Sequence, residues 1–357
     1  MIARLLVQLP FTIGVPDGAE FRVVCYEDEG YEVRFYRPCR SDQCTTGSTV
    51  DVKIGGRPAF FADLLRVDFF RESFSRNPSE QDPPEAVIKR AVDSLVARLR
   101  HVTNAPQVRP VDFPQVTWHL QYLDDCEQEL EKDESLVRGR GGQARSLSYV
   151  GMDEAVWDDI HSLPQDYVPE PWDELLLEAQ FELPRVGPAV VLAATALEVL
   201  ISRTLDALAG TSDSLALWRW LNSRSDILKR PTVEEQFDSL LHLFTGRSLK
   251  GDGQLWASFK NLKQARNTFV HTGVARVGRK PVSAETAGKL VGAAHDVVAK
   301  VREWLPEEQR WAVSRHDLRL ETTMWLFGRP DAESGGLEGT GLRANDETNK
   351  RTNVHDN

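Results

Sequence analysis

Arg266, Asn267 and His271 lie close together in the segment LWASFKNLKQARNTFVHTG, and of all residues in the chain they are best suited to share one chemical task. Imidazole gives and takes protons near neutral pH, guanidinium is a fixed cation with planar donors, and the amide both donates and accepts. Together they fit acid–base work on an anionic substrate. At ~100° per residue, Asn267 and His271 lie about 40° apart around a helix, whereas Arg266 sits roughly 140° from His271. One helix therefore does not converge all three groups. His271 falls in the last turn before Gly273, where the negative end of the helix dipole attracts a cation, which suits a general acid. A structural use fits the same residues: Arg266 would pair with an acid such as Glu198, and His271 would cap carbonyls at the helix end.

The surrounding charge agrees with an anionic substrate. The chain of 357 residues carries a formal net charge of −11, which argues against indiscriminate coating of nucleic acid. Between Arg247 and Lys280, however, Arg247, Lys250, Lys260, Lys263, Arg266, Arg276, Arg279 and Lys280 face Asp252 alone. A polyanion could dock on that segment. Two acidic stretches, Asp124 to Glu134 and Met152 to Arg185, are its counterweight and could pair with it within the same protein.

This segment resembles the HEPN family. The likeness rests on Arg266, Asn267 and His271, on the apolar helix before them with its internal Glu198, and on the order of helices over residues 170–305; residues 1–150 lie outside it. The resemblance implies an all-helical bundle that works as a metal-independent endoribonuclease, a homodimer with two copies of the motif facing each other, and no cofactor. His271 would then assist attack of the ribose 2′-hydroxyl on the phosphate or protonate the leaving oxygen, and Arg266 would stabilise the phosphorane charge. Asn267 and Glu198 would support them, while Lys260, Lys263, Arg276, Arg279 and Lys280 would contact RNA. A β-rich domain fused to such an effector is similar to bacterial antiphage and stress-response proteins, with a trigger or antitoxin as a further partner. The alternative is a non-catalytic module that dimerises or binds a nucleotide or protein.

Other chemistries find less support. Cys39 and Cys44 have the spacing of half a zinc site but no second pair, and Cys25 and Cys126 complete the cysteines. Four thiols in this length point to a reducing cytoplasm. The remaining histidines lack metal-helix spacing, and no Walker loop, Gly-x-Gly-x-x-Gly after a strand or serine elbow occurs.

The elements that must hold the motif follow from periodicity. With 41% hydrophobic and 27% charged residues, the chain can bury ordinary cores, and its length favours two domains. The expected fold is α+β: a β-rich α+β domain over 1–150, a helical bundle with an extension over 151–330, and a disordered tail over 331–357. RLLVQLPFTI, FRVVCYED, YEVRFYRP, STVDVKIGG and LLRVDFFRESF read as strands. The first is expected to be a strand rather than a signal peptide. Val87, Ile88, Ala91, Leu95, Val96 and Leu99 recur at helical spacing, QVTWHLQYLDD alternates as a strand, and ARSLSYVG is expected to return as its partner. The texture turns helical from Asp153. AVVLAATALEVLISRTLDALAG, closed by Gly210, has the all-round apolarity of a central bundle helix, and Thr195 and Glu198 argue against a membrane span. Thr232–Thr245, Asp252–Thr272 and Ser283–Trp304 complete the bundle, with Thr232 to Glu235 resembling a capping box. Trp311, Leu318, Leu320, Met324, Trp325 and Phe327 add a last helix or strand.

Overall fold

The computed structural model describes residues 1–41, 50–74, 81–127, 137–138, 149–210, 231–311 and 320–324. Cys44, the acidic run after Glu127, the glycine-rich turn Gly139–Gly142 and the tail 331–357 lie outside them. The chain is α+β and divides into two compact units. The first holds Met1–Thr103 and Gln107–Tyr167 together with the strand Leu320–Met324, and the second holds Val168–Arg315.

The first unit is organised by β1 (Ile2–Pro16), whose Ala3, Leu5, Val7 and Leu9 are buried while Arg4, Leu6 and Gln8 on the other face are half-buried. That alternation is the period of a pleated strand with one covered face. β1 pairs antiparallel with β5 (Arg57–Phe70), with a register shift between Gln8 and Ile13. The shift brackets Pro10, which has no N–H for the ladder. β6 (Trp118–Leu123) pairs with its first half, and β3 (Tyr31–Phe35) adds to β5. β2 (Val24–Asp28) joins β3 through Glu29 and Gly30, at φ 49° and 80°, the two left-handed residues of a tight hairpin.

Two connections differ from the sequence reading. β8 (Tyr149–Gly151) lies parallel on the second half of β1, at Thr12 to Gly14, instead of returning to β6, which pairs with the short β7 (Val137–Arg138). Period-2 alternation fixes the face of a strand but not its neighbour. β11 (Leu320–Met324) pairs antiparallel with β4 (Val50–Ile54) and so belongs to the sheet unit, not to the bundle.

Two helices cover one face of this sheet. α1 (Glu85–Thr103) turns Leu95, Val96 and Leu99 towards Leu9, Phe11, Ile13 and Leu65. α2 (Glu154–Ser162) brings Trp157 and Ile160 into the same core. The change to helix at Asp153 is thus not the domain boundary, which falls after Tyr167, because Val156, Trp157 and Ile160 bury against the sheet. His161 of α2 sits edge-on to Trp157 with ring centroids 4.4 Å apart, and both its ring nitrogens are sealed without a hydrogen-bond partner among the described residues. Burial, reinforced by the positive charges of Arg98 and Arg22, lowers its pKa to about 3.

The second unit is a helical bundle built around α4 (Val186–Gly210), which buries Ala189, Val190, Ala193, Ala196, Leu197, Leu200, Ile201 and Leu205. By length and composition α4 could cross a membrane; half of its most apolar window is buried in this unit. α3 (Pro171–Phe181), α6 (Gly253–Thr272) and α7 (Ala284–Trp304) pack on it. Between them, α5 starts as an α-turn at Val233–Glu235, passes through a π-turn at Gln236–Leu240 and ends as Leu241–Thr245.

Local chemistry sets these ends. Thr232 and Glu235 exchange the two bonds of a capping box, at 3.2 and 2.6 Å. Asp252 accepts from Leu255 N at 3.1 Å to start α6, and Gly273, at φ 74°, ends it. Ser283 starts α7 by accepting from Thr286 N at 3.2 Å. Trp311 stacks edge-on against Trp172, with centroids 4.9 Å apart, which accounts for its apolar bulk beyond α7.

Candidate functional site

The site is built on α6. Its inner face, formed by Phe259, Leu262 and Ala265, is buried against the bundle. Phe269 continues that face towards the start of α4, where a Cβ placed on Gly187 would sit 2.0 Å from its ring. Only glycine leaves room for this approach. The ring and the glycine together set where the last turn of α6, and hence the motif, rests.

Arg266 lies at the edge of the inner face. Its Nη1 donates to Asn267 Oδ1 at 3.0 Å, and its Nη2 is 3.9 Å from Glu198 Oε2 on α4. Arg266 Nε is sealed from solvent and has no partner among the described residues. The Glu198 contact is too long for a hydrogen bond, and both side chains are about a third exposed (34% and 36%), so it is a loose, solvent-screened pair. Glu198 is therefore not a buried acid that demands an arginine. An arginine cannot accept, so the oxygen of Asn267 must face it. Asn267 thus supports Arg266, and its bond is not to His271.

His271 is exposed and makes no side-chain hydrogen bond or ion pair among the described residues. It does not cap the helix. Gly273 N closes onto Phe269 O at 2.7 Å and Thr272 Oγ1 onto Thr268 O at 2.6 Å, so the bonds that close the helix end do not involve the imidazole. Between Arg266 and His271 around the helix lies Val270, 56% exposed, with Val274 beyond the helix end 42% exposed. The motif thus carries an apolar spot at its centre.

The expected RNA-binding cations divide into three groups. Lys263 forms an ion pair with Glu234 of α5, both side chains about a third exposed, a pairing that only the fold could supply. Lys260 is exposed, with its Nζ 5.9 Å from the centre of the Trp256 ring. Arg276, Arg279 and Lys280 stand exposed on the hairpin of β9 (Arg276–Val277) and β10 (Lys280–Pro281). α6 pins that hairpin beside the motif. Thr268 Oγ1 accepts from Arg276 N at 2.8 Å and Gln264 Oε1 from Gly278 N at 3.2 Å. These two polar residues, and Glu234, Trp256 and Gly187, have no signal in the sequence that sets them apart from ordinary surface or helix residues.

The arrangement can therefore present an uncommitted imidazole, a guanidinium oriented by a neighbouring amide, and a ridge of cations on one side. Among the described residues, no group of three or more His, Cys, Asp or Glu is placed to hold a metal ion. Cys39 is half-buried, and burial, with the nearby charge of Asp63, pushes its thiol above the ordinary range. No protein-family model, curated protein or solved structure matches this chain.

Proposed function

We propose that the helical unit is a HEPN-type endoribonuclease that cleaves RNA without a metal ion, with Arg266 and His271 as its catalytic groups. The observation that carries this reading is the state of His271: exposed and without a side-chain bond among the described residues, at a helix end closed by Gly273 and Thr272, one turn from the Arg266–Asn267 pair. A histidine that held this helix end in place would bond to one of its carbonyls. In the reaction, the ribose 2′-oxygen bonds to phosphorus as its proton leaves to a base, and the P–O5′ bond breaks as the departing oxygen takes up a proton. His271 serves one of these transfers, and Arg266 balances the charge on the phosphorane.

Arg266 and His271 lie roughly 140° apart on one helix, so a homodimer in which each motif faces its copy is part of the proposal. The exposed Val270 between them supports such a covered face. The sheet unit would restrain the nuclease or receive its trigger, in a cytoplasmic defence or stress role. A second reading, a non-catalytic binding module, draws on the pairing of Arg266 with Glu198 and of Lys263 with Glu234.

The test is cleavage of total and transfer RNA by the purified full chain in EDTA, with His271→Ala and Arg266→Ala beside it and circular dichroism melts as folding controls. Cutting lost in both folded variants is the expected result. Cutting that survives His271→Ala overturns the catalytic assignment, and an intact dimer that neither binds nor cuts RNA favours the second reading.

A further inference from the structure

We propose that Trp256 and Lys260 form a stacking subsite for single-stranded RNA at the far end of α6 from His271; this rests on the ribonuclease reading above. On a regular helix Trp256, Lys260, Asn267 and His271 fall within a sector of about 60°, so they form one row along the open side of α6. From Trp256 to His271 the row runs ~22 Å, far enough for several nucleotides of an extended strand.

The Trp256 ring is held firmly. It lies 5.3 Å from Phe259, which in turn stands edge-on to Phe237 at 5.0 Å, so its inner edge is fixed to the core while the residue as a whole is only half-buried. A fixed, partly exposed indole is a platform that costs little entropy to use. Lys260 Nζ stands over the ring at 5.9 Å from its centre, near the outer limit of a cation–π contact and therefore easily drawn away by a phosphate.

Lys260 is also distinguished by what it lacks. In this unit Lys250, Lys263, Lys289 and Lys300 pair with Asp238, Glu234, Glu285 and Glu303. Lys260 and Lys280 have no carboxylate partner among the described residues, and both flank the motif. In a chain of net charge −11, a lysine left unpaired beside an accessible indole fits a base on the ring and the adjoining phosphate on the ammonium. Bases in a duplex keep their faces stacked, so the ligand class is single-stranded RNA or a loop.

Fluorescence anisotropy with the full chain would compare a single-stranded RNA of about twelve nucleotides with one of about three, centred on the same cleaved step. Trp256→Ala should weaken binding of the long strand about tenfold and leave the short one unchanged; Trp256→Phe should restore most of the loss. Lys260→Gln should lower the salt dependence of the long strand by about one counterion. Equal affinity of Trp256→Ala and wild type for the long strand overturns the subsite while leaving the nuclease intact. Equal loss on both lengths together with a lowered melting temperature also overturns it, as a structural role. A wild type that binds neither strand sinks the ribonuclease reading and the subsite with it.

Discussion

The amide oxygen of Asn267 accepts a 3.0 Å hydrogen bond from Nη1 of Arg266, its neighbour in the chain. Adjacent helical residues point about 100° apart, so this bond requires the long arginine to fold back across the helix surface. It therefore fixes the direction of the guanidinium. Asn267→Ala should keep the fold but release Arg266, reducing RNA cleavage by about tenfold, the worth of one hydrogen bond to a charged group. Asn267→Asp should cost more, because a carboxylate beside Arg266 competes with the phosphate for it. Steady-state cleavage of one oligonucleotide by both variants decides the order; equal activity in all three proteins would remove Asn267 from the site.

Glu198 tests whether Arg266 is chemical or structural. A third-exposed pair at 3.9 Å contributes ~0–1 kcal/mol, whereas a buried structural pair, once broken, would cost ~3–5 kcal/mol. Glu198→Gln should therefore leave unfolding in urea nearly unchanged and strengthen RNA binding by removing a rival anion. A loss of stability of several kcal/mol would place Arg266 in the framework of the bundle.

Gly187 and Phe269 form a contact with no slack. Gly187→Ala sets a methyl carbon 2.0 Å from the ring, which must force Phe269 and the end of α6 to move. Overpacking of this kind costs about 1–3 kcal/mol. Adding Phe269→Leu should recover part of that loss, so the two changes together should be less harmful than their sum. Thermal melts of the two single variants and the double variant measure the coupling; strict additivity would mean that the two positions do not touch in solution.

How much of this was legible in the sequence depends on the range of the interaction. Thr232, Glu235, Asp252, Gly246 and Gly273 mark helix ends through bonds to residues a turn away, and they stand where local pattern puts them. The spacing of Arg266, Asn267 and His271 on α6 is local in the same sense. What pattern could not show is which distant residue answers: Lys263 reads as a free cation until the fold brings Glu234, 29 residues earlier, onto it. Glu198 reads as a buried acid until the fold leaves it about a third exposed. The strand Tyr149–Gly151 reads as a partner for β6 until the fold ends the β6 pairing at Val7 and leaves that edge of Thr12 to Gly14 to receive it.

His161 makes the stability of the protein depend on acid. Burial, with Arg98 and Arg22 nearby, lowers its folded-state pKa to about 3 from the ordinary 6.5, while Trp157 and Phe35 offer its ring only aromatic surfaces. The unfolded chain thus binds a proton in a range where the folded chain does not. Stability is complete above pH ~6.5 and is lost progressively as pH falls from there towards ~3. At pH 5 this single group should weaken the fold by about 2 kcal/mol relative to neutral pH. Urea unfolding at the two pH values, for wild type and His161→Phe, checks the claim. The phenylalanine variant should show a smaller drop by about that amount, since it carries no titrating ring. An identical drop in both proteins would mean that His161 reaches water and protonates within the folded unit.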